Sequence, residues 1–280
     1  MFLQIQHELH YYYSDAVALS PHTLYLYPRL AAHLNVKSYD LKISPAPSLQ
    51  AKNLDLEGNV QQMVFFSEKC NRLNISVLVN IETQNFNPFG FVYSPFEASI
   101  LPFQYPESQQ KLLSPYLEKE GITTLIDQTA RNLAASVDWN TTKFLTSLNE
   151  YIFTQFQYEI RELGLPNSPE ITLLERRGSC RDYAVFFIAC CRTLGLAARF
   201  VSGYHFLDPT QPQYLHAWAE VYLPGGGWRG FDPTQNCSAT HQHVPLAASA
   251  WSEQATPVKG TFSGKAQSSF EATVSVKEIS

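Results

Sequence analysis

The chain has 280 residues, of which 45% are hydrophobic and 13% aromatic, so it can form one large domain or two ordinary ones with a sizeable core. Its formal net charge is −5, and its basic residues form no cluster beyond Arg176 and Arg177. The sequence therefore predicts no nucleic-acid partner, because the positive patch that such binding requires is missing.

Residues 1–10 contain neither a basic segment nor an unbroken apolar one, so they do not resemble a secretory signal. Further along the chain, no stretch of about 18 uncharged apolar residues predicts a membrane-spanning helix. We therefore predict a soluble, cytoplasmic protein with no membrane partner. The sequence leaves its oligomeric state open.

Residues 1–110 predict an N-terminal antiparallel β-sandwich or barrel. Short runs rich in aromatic and aliphatic residues, separated by prolines and glycines, read as strands at 11–13, 24–27, 41–43, 63–66 and 73–79. We assign their aromatic side chains mainly to the core rather than to a binding surface. Residues 95–115 lack a clear period and are interpreted as the connection between two domains.

Two helices are predicted after this connection, at residues 123–136 and 141–158. The second is the stronger prediction, because apolar residues repeat along it every four positions: Phe144, Leu148, Ile152 and Phe156. Residues 157–171 then form a loop, since Gly164, Pro166 and Pro169 interrupt any regular element there. Loops at the mouth of a rigid site often select the substrate.

A further helix is predicted from Cys180 to the glycine at position 195. Ser179 is a good N-cap residue, and Asp182 three positions later completes a pattern close to a capping box. Cys180 then lies in the first turn, where unpaired backbone N–H groups and the positive end of the helix dipole favour the thiolate. The alternative is that Cys180 is simply a small core residue.

A β-hairpin is predicted next. Residues 214–223 alternate with period two, residues 224–227 form a turn, and residues 228–232 return. His216 and Asp232 then lie on adjacent strands, although pairing Leu223 with Trp228 would set Asp232 opposite Ala219, short of His216. A bulge or an earlier turn would bring the imidazole and the carboxylate together.

These motifs resemble the transglutaminase-like superfamily of papain-type cysteine enzymes. The resemblance is carried by three motifs in order: Gly178-x-Cys180 before a helix, His216-Ala217-Trp218, and Gly227-Trp228 followed by Asp232-Pro233-Thr234. It covers about residues 145–236. The front of the chain more loosely resembles the β-rich domain that precedes this core in a bacterial cysteine-protease subgroup.

The resemblance implies an α+β fold. Residues 1–110 would be the N-terminal β domain, and residues 111–280 a papain-like core in which the cysteine helix packs on an antiparallel sheet. The core would include a short C-terminal strand at 272–277, which we expect to join an existing sheet. In this family the histidine and aspartate strands bring the two side chains together.

The implied site is a catalytic triad of Cys180 as nucleophile, His216 as proton carrier and Asp232 as the group that orients the imidazole. The backbone N–H of Cys180 can supply one oxyanion donor. In related families a second donor comes from a side chain, typically Gln or Trp.

The second oxyanion donor and the walls of the site are less defined. Gln155, Gln157 and Tyr158 lie at suitable distances upstream of the nucleophile, and we favour Tyr158 as the donor. Trp218 and Trp228 are equally compatible with lining the site and with packing within the hairpin.

No metal or other cofactor is predicted. The five cysteines are odd in number and irregularly spaced, which argues against a disulfide framework, and no Cys-x-x-Cys occurs. His241 and His243 fall in a polar, alanine-rich stretch and are interpreted as part of a solvated loop. Residues 237–270 are interpreted either as a lid over the cleft or as a mobile segment.

The predicted function is acyl transfer on a peptide or protein amide through a thioester, with water as the acceptor in a peptidase or amidase. Protein cross-linking by a glutamine γ-glutamyltransferase ranks lower. The animal cross-linkers carry calcium sites, and no run of closely spaced Asp and Asn residues resembles a calcium loop here. A non-catalytic binding module ranks third, because all three reactive residue types are retained.

Overall fold

The computed structural model describes residues 1–161, 164–207 and 213–279. Five α-helices, α1 to α5, span Glu107–Leu113, Thr124–Ser136, Thr141–Gln155, Pro169–Glu175 and Cys180–Thr193 within those ranges. Short 3₁₀ turns lie at Phe96–Ser99, Ser114–Leu117 and Ser252–Ala255. None of the helices in the described ranges has the length and apolar character needed to cross a membrane.

The strands are numbered β1 to β16 in chain order. Those of the first 160 residues are Phe2–Leu19, His22–Leu24, Leu34–Ser44, Leu49–Leu54, Val60–Phe65, Lys69–Thr83 and Gln157–Tyr158. The strands β8 to β16 are Arg177–Gly178, Ala198–His205, His216–Leu223, Gly227–Asp232, Cys237–Ser238, His243–Ser249, Val258–Lys259, Phe262–Ser263 and Ser268–Ile279.

The N-terminal part forms two antiparallel sheets. In the larger sheet, β15 and β16 pair with one edge of β1, and β6 and β3 follow on its other side; the smaller sheet has the order β14-β2-β5-β4. Side chains of β1 alternate between buried and exposed over much of its length, because one face of the strand packs on the core. The predicted strands at 24–27 and 63–66 each lie in the smaller sheet or at its border.

The second part is a five-stranded antiparallel sheet, ordered β12-β11-β10-β9-β13, with α5 packed on one face. Every residue of β9 is buried, because both faces of this sheet are covered. Phe200 belongs to the core shared with α5, whereas Tyr204 belongs to the core shared with β1 and β6. Because residues four positions apart in a strand lie on the same side of a sheet, α5 and the larger N-terminal sheet pack on neighbouring parts of one face of the core sheet.

The predicted α+β class and its β-rich beginning are confirmed. The helix predicted at 141–158 ends at Gln155, because Phe156 takes an extended conformation. The last strand does join an existing sheet, but it is the N-terminal one: β16 pairs with β1 over twelve residues. The division at residue 110 remains a prediction, and the end of the chain packs with the unit placed before that division.

Candidate active site

The helix that holds Cys180 begins where the sequence predicts. Cys180 is the first residue of α5 and is 8% exposed. The backbone N–H and the hydroxyl of Ser179 both donate to Asp182 Oδ2, each at 2.7 Å. These bonds fix the start of the helix and thereby the direction of the Cys180 side chain.

Asp182 is the buried anchor of this turn. Its Oδ1 accepts a bond of 2.6 Å from the backbone N–H of Asn167 and forms an ion pair with Arg161. The carboxylate is fully buried. Burial alone raises the pKa of Asp182, but these donors outweigh it and hold the pKa below its ordinary value. Asp182 is therefore both the capping residue that the sequence predicts and the ion-pair partner of Arg161.

The hairpin register brings His216 and Asp232 together. Leu223 pairs with Gly227, and Ala219 pairs with Phe231. The turn is thus one residue shorter than in the pairing of Leu223 with Trp228, and Asp232 lies one position closer to His216. The distance from His216 Nε2 to Asp232 Oδ2 is 2.7 Å. Because a carboxylate can only accept, Nε2 carries a proton, and Nδ1 is the ring nitrogen left for the Cys180 thiol.

The His216 ring lies between an anion and the thiol. Burial alone lowers the pKa of His216, but the Asp232 carboxylate and the adjacent Cys180 thiol outweigh it and raise this pKa to about 10. Conversely, burial raises the pKa of Asp232, and its bonds to His216 and His243 reverse that effect and lower it strongly. At neutral pH the pair is therefore imidazolium and carboxylate, and positive charge lies beside the thiol.

Three other groups hold Asp232. Its Oδ1 accepts from the backbone N–H of Thr234 at 3.0 Å, and its Oδ2 accepts from His243 Nε2 at 3.1 Å. The side-chain amide of Asn149 on α3 donates to the Asp232 carbonyl at 3.2 Å. Sequence reasoning found neither Asn149 nor His243, because both are brought to the site by tertiary packing alone.

The interpretation of His243 as part of a solvated loop was wrong. His243 is 2% exposed and begins β13, which pairs with β9 and not with an element close in sequence. Its Nδ1 accepts a bond of 3.2 Å from the backbone N–H of Thr240. The proton of the neutral ring must then be on Nε2, which donates to Asp232. Burial lowers the pKa of His243, so the ring stays a neutral donor.

The same tautomer bears on metal binding. Donor atoms of His205, Asp232 and His243 lie within 4.8 Å of one another, which is close enough for a metal ion. However, the Nε2 of His243 that faces Asp232 carries a proton, because Thr240 occupies Nδ1. A protonated nitrogen cannot ligate a metal. This cluster is therefore better described as a hydrogen-bonded support of the carboxylate.

Tyr158 lines the same cleft as Cys180, and the two side chains interact electrostatically. Burial of the hydroxyl, together with the charges of Cys180 and Asp232, raises the pKa of Tyr158, so the hydroxyl keeps its proton and can donate. The strand β7, which holds Tyr158, pairs with β8 immediately before the nucleophile. The assignment as second oxyanion donor remains a prediction.

The two tryptophans are separated by the hairpin. Trp218 is buried behind the site, with ring centroids 6.3 Å from His216 and 5.2 Å from His243. Trp228 pairs with Tyr222 near the turn and packs on Tyr116, 4.9 Å between ring centroids. Trp228 is thus not brought to the site, because antiparallel pairing places it at the opposite end of β10 from His216.

The environments of the cysteines predict selective alkylation. Burial raises the pKa of the other four thiols, which are Cys70, Cys190, Cys191 and Cys237, the last to about 12. Only Cys180 among the described cysteines lies beside the His216 imidazolium. We expect iodoacetamide at neutral pH to modify Cys180 more than about tenfold faster than any other cysteine, as followed by peptide mapping. Equal labelling of all five would contradict this arrangement.

Comparison with known proteins finds similar sequences for both parts of the chain. Residues 127–233 match the model of the transglutaminase-like superfamily, and residues 3–82 match that of the bacterial transglutaminase-like N-terminal region. An uncharacterized protein of Mycobacterium bovis is 27% identical over 272 residues, covering 92% of this chain and 86% of its own. A peptide-N(4)-(N-acetyl-beta-glucosaminyl)asparagine amidase of Gallus gallus is 39% identical over 71 residues, which is 25% of this chain and 10% of that protein.

A solved structure shares the whole fold. The crystal structure of a putative cysteine protease from Cytophaga hutchinsonii superimposes with a TM-score of 0.72 at 20% identity, covering all of this chain and 92% of that one. Both parts of the fold, and not only the core, are thus found together in another protein. The transglutaminase-like model covers the cysteine, histidine and aspartate motifs, and the N-terminal model covers the β-rich front of the chain. The chain therefore carries a transglutaminase-like superfamily core at residues 127–233 and, before it, the bacterial transglutaminase-like N-terminal region at residues 3–82.

Proposed function

We propose that the protein is a cysteine-dependent hydrolase of amide bonds, a peptidase or amidase that works through a thioester. The observation that supports this most directly is the buried His216–Asp232 pair of 2.7 Å beside the Cys180 thiol at a helix N-terminus. The similarity to an asparagine amidase over 71 residues is in line with amide chemistry.

In the first step the Cys180 sulfur forms a bond to the carbonyl carbon of the amide, while His216 holds the thiol proton. The negative charge that develops on the carbonyl oxygen is stabilised by the backbone N–H of Cys180 and by the hydroxyl of Tyr158. The C–N bond then breaks, and His216 gives its proton to the leaving amine. Asp232 keeps the ring oriented and stabilises the imidazolium.

In the second step water attacks the thioester carbonyl. His216, now neutral, takes a proton from the water, and the bond between carbon and the Cys180 sulfur breaks to release the acid. A primary amine in place of water would give a new amide and so a transglutaminase. The same residues serve both acceptors, so the acceptor must be identified by experiment.

The test is intact-mass analysis of the protein after incubation with a pooled library of acetylated hexapeptide amides, with and without a primary amine such as cadaverine. We expect an acyl adduct on Cys180 or hydrolysed peptides, and neither in Cys180→Ala. Incorporation of the amine into products would favour the transferase. Absence of both adduct and turnover, with Cys180 still alkylated rapidly, would overturn the proposal in favour of a binding module.

A further inference from the structure

The cleft at the candidate site is shared between the two parts of the fold. It has a volume of about 680 Å³, and Cys180 and His216 line its core side. Side chains of β1 and β16 line the facing side. The N-terminal region is therefore part of the cavity that contains the thiol.

The facing side is a ladder of paired side chains, which we call the β1–β16 wall. Antiparallel pairing sets residues on the same face opposite one another: His7 with Val274, Leu9 with Ala272, Tyr11 with Phe270, and Tyr13 with Ser268. All eight line the cleft. The rings of Tyr11 and Phe270 lie 4.7 Å apart, and both are only half-buried, so part of each ring faces the cavity.

The β1–β16 wall has no charged side chain. Along the two strands the acidic residues Glu8 and Glu271 alternate to the opposite face of the sheet. His7 donates or accepts a bond of 2.9 Å between its Nδ1 and the Tyr204 hydroxyl, and burial lowers its pKa to about 4. His7 is therefore neutral at neutral pH.

The charged groups of the cleft lie on other elements. Arg161 is engaged by Asp182, and Arg181 donates to the backbone carbonyl groups of Gly164 and Arg161. Glu253 lies in the 3₁₀ turn that follows β13. An apolar side chain of a substrate would thus meet the β1–β16 wall without displacing an ion pair, whereas a charged one would lose water there without gaining a partner.

From this arrangement we infer that the N-terminal region selects the substrate: the β1–β16 wall binds a large uncharged, preferably aromatic, side chain close to the scissile amide, against Tyr11 and Phe270. Offset or tilted ring contacts add to the hydrophobic gain for an aromatic side chain. This inference rests on the proposed function for its reaction, but binding to the wall can be measured without turnover.

The test compares two adjacent tyrosines of β1. Tyr11→Ala removes a ring from the β1–β16 wall, whereas Tyr12→Ala removes a ring from the opposite face, where Tyr12 lies 5.6 Å from the Arg72 guanidinium. Hydrolysis of the hexapeptide library should show at least a tenfold preference for Phe, Tyr or Trp over Ser or Asp at one position. We expect Tyr11→Ala to reduce that preference to about threefold or less, and Tyr12→Ala to leave it unchanged.

Thermal unfolding of both variants controls for damage to the sheet, and Tyr11→Phe should retain the preference. No aromatic preference in the wild-type protein, or an equal effect of the two alanine variants with equal stability, would overturn the inference.

A second measurement separates this inference from the proposed function. If no peptide is turned over, the hexapeptides can still be tested for slowing the alkylation of Cys180 by iodoacetamide. Protection by Phe-containing peptides that is lost in Tyr11→Ala but kept in Tyr12→Ala would support the wall even without catalysis. Turnover without any difference between Phe and Ser peptides in either assay would leave the hydrolase proposal in place and overturn the role of the wall.

Discussion

Replacement of Asp232 by asparagine is expected to lower turnover of a peptide amide by about 10³–10⁴-fold while the fold is kept. The carboxylate Oδ2 accepts from His216 and His243 at once, and Oδ1 accepts from Thr234. An amide offers only one acceptor oxygen. If its NH₂ group faces His216, the imidazole must take the other tautomer and cannot receive the thiol proton at Nδ1.

The same variant has a second readout in the pH dependence of alkylation. The wild-type His216 has a pKa of about 10 and is charged at neutral pH. Without the Asp232 carboxylate, burial lowers the His216 pKa, so the ring becomes neutral at pH 7. Alkylation of Cys180 by iodoacetamide at pH 7 should therefore slow in Asp232→Asn, and the difference should shrink at low pH, where both rings are protonated. Unchanged turnover and an unchanged alkylation profile would remove Asp232 from the site.

Replacement of Asp182 by alanine is expected to lower the free energy of unfolding by about 3 kcal/mol, as measured by urea denaturation. The change removes the acceptor of Ser179 and Asn167 and leaves the partly buried Arg161 without its carboxylate. Because the folded pKa of Asp182 is below the unfolded one, its contribution is fully present above about pH 4 and is lost as the pH falls through the folded value.

A matched control for Asp182 exists in another helix. Asp127 also lies in the first turn of a helix, α2, but its ion pair with Arg131 is solvent-exposed and spans one turn. Asp127→Ala should cost no more than about 0.5 kcal/mol. An equal loss of stability in the two variants would show that the burial of Asp182 does not determine its effect.

The helix that begins at Cys180 could be predicted from sequence because its signals are local. A good N-cap residue, an acidic residue three positions later and a terminating glycine bound α5, and they set Cys180 in its first turn. The alternation in β10 and the turn after it likewise predicted a hairpin. The register was not predictable, since a turn of three glycines allows more than one pairing, and a shift of one residue decides how near Asp232 lies to His216.

The contact of His243 with Asp232 could not be predicted from local sequence patterns. It is reached through β13, which pairs with β9 across the sheet and is buried on both faces, so it lacks the alternation of a half-exposed strand. The short apolar run from Val244 to Ala248 was the available signal of a buried strand. His243 is the first residue of that strand, and only the order of strands in the sheet brings it to Asp232.

For Trp228 the sequence left site lining and hairpin packing open, and the structure shows packing. Trp228 is close to Asp232 in sequence, but four residues along an extended strand span roughly 13 Å. That length carries the ring from the site to the turn of the hairpin, where it packs on Tyr116 and under the Arg199 guanidinium, 3.9 Å from the ring centroid. Proximity in a strand is therefore a poor guide to membership of a site.

The pairing of β1 with β16 affects how the chain folds during its synthesis. Residues 2–19 form β1 and residues 268–279 form β16. The edge of β1 that β16 covers therefore stays open while the residues between the two strands are synthesised. Long-range pairing of this kind forms slowly, and an open edge can pair with another chain in the meantime. Gln213, just before the His216 strand, also donates to the Val276 carbonyl at 3.0 Å. A nascent chain that has folded its cysteine helix therefore still lacks one side of its cleft until residues 268–279 have been synthesised.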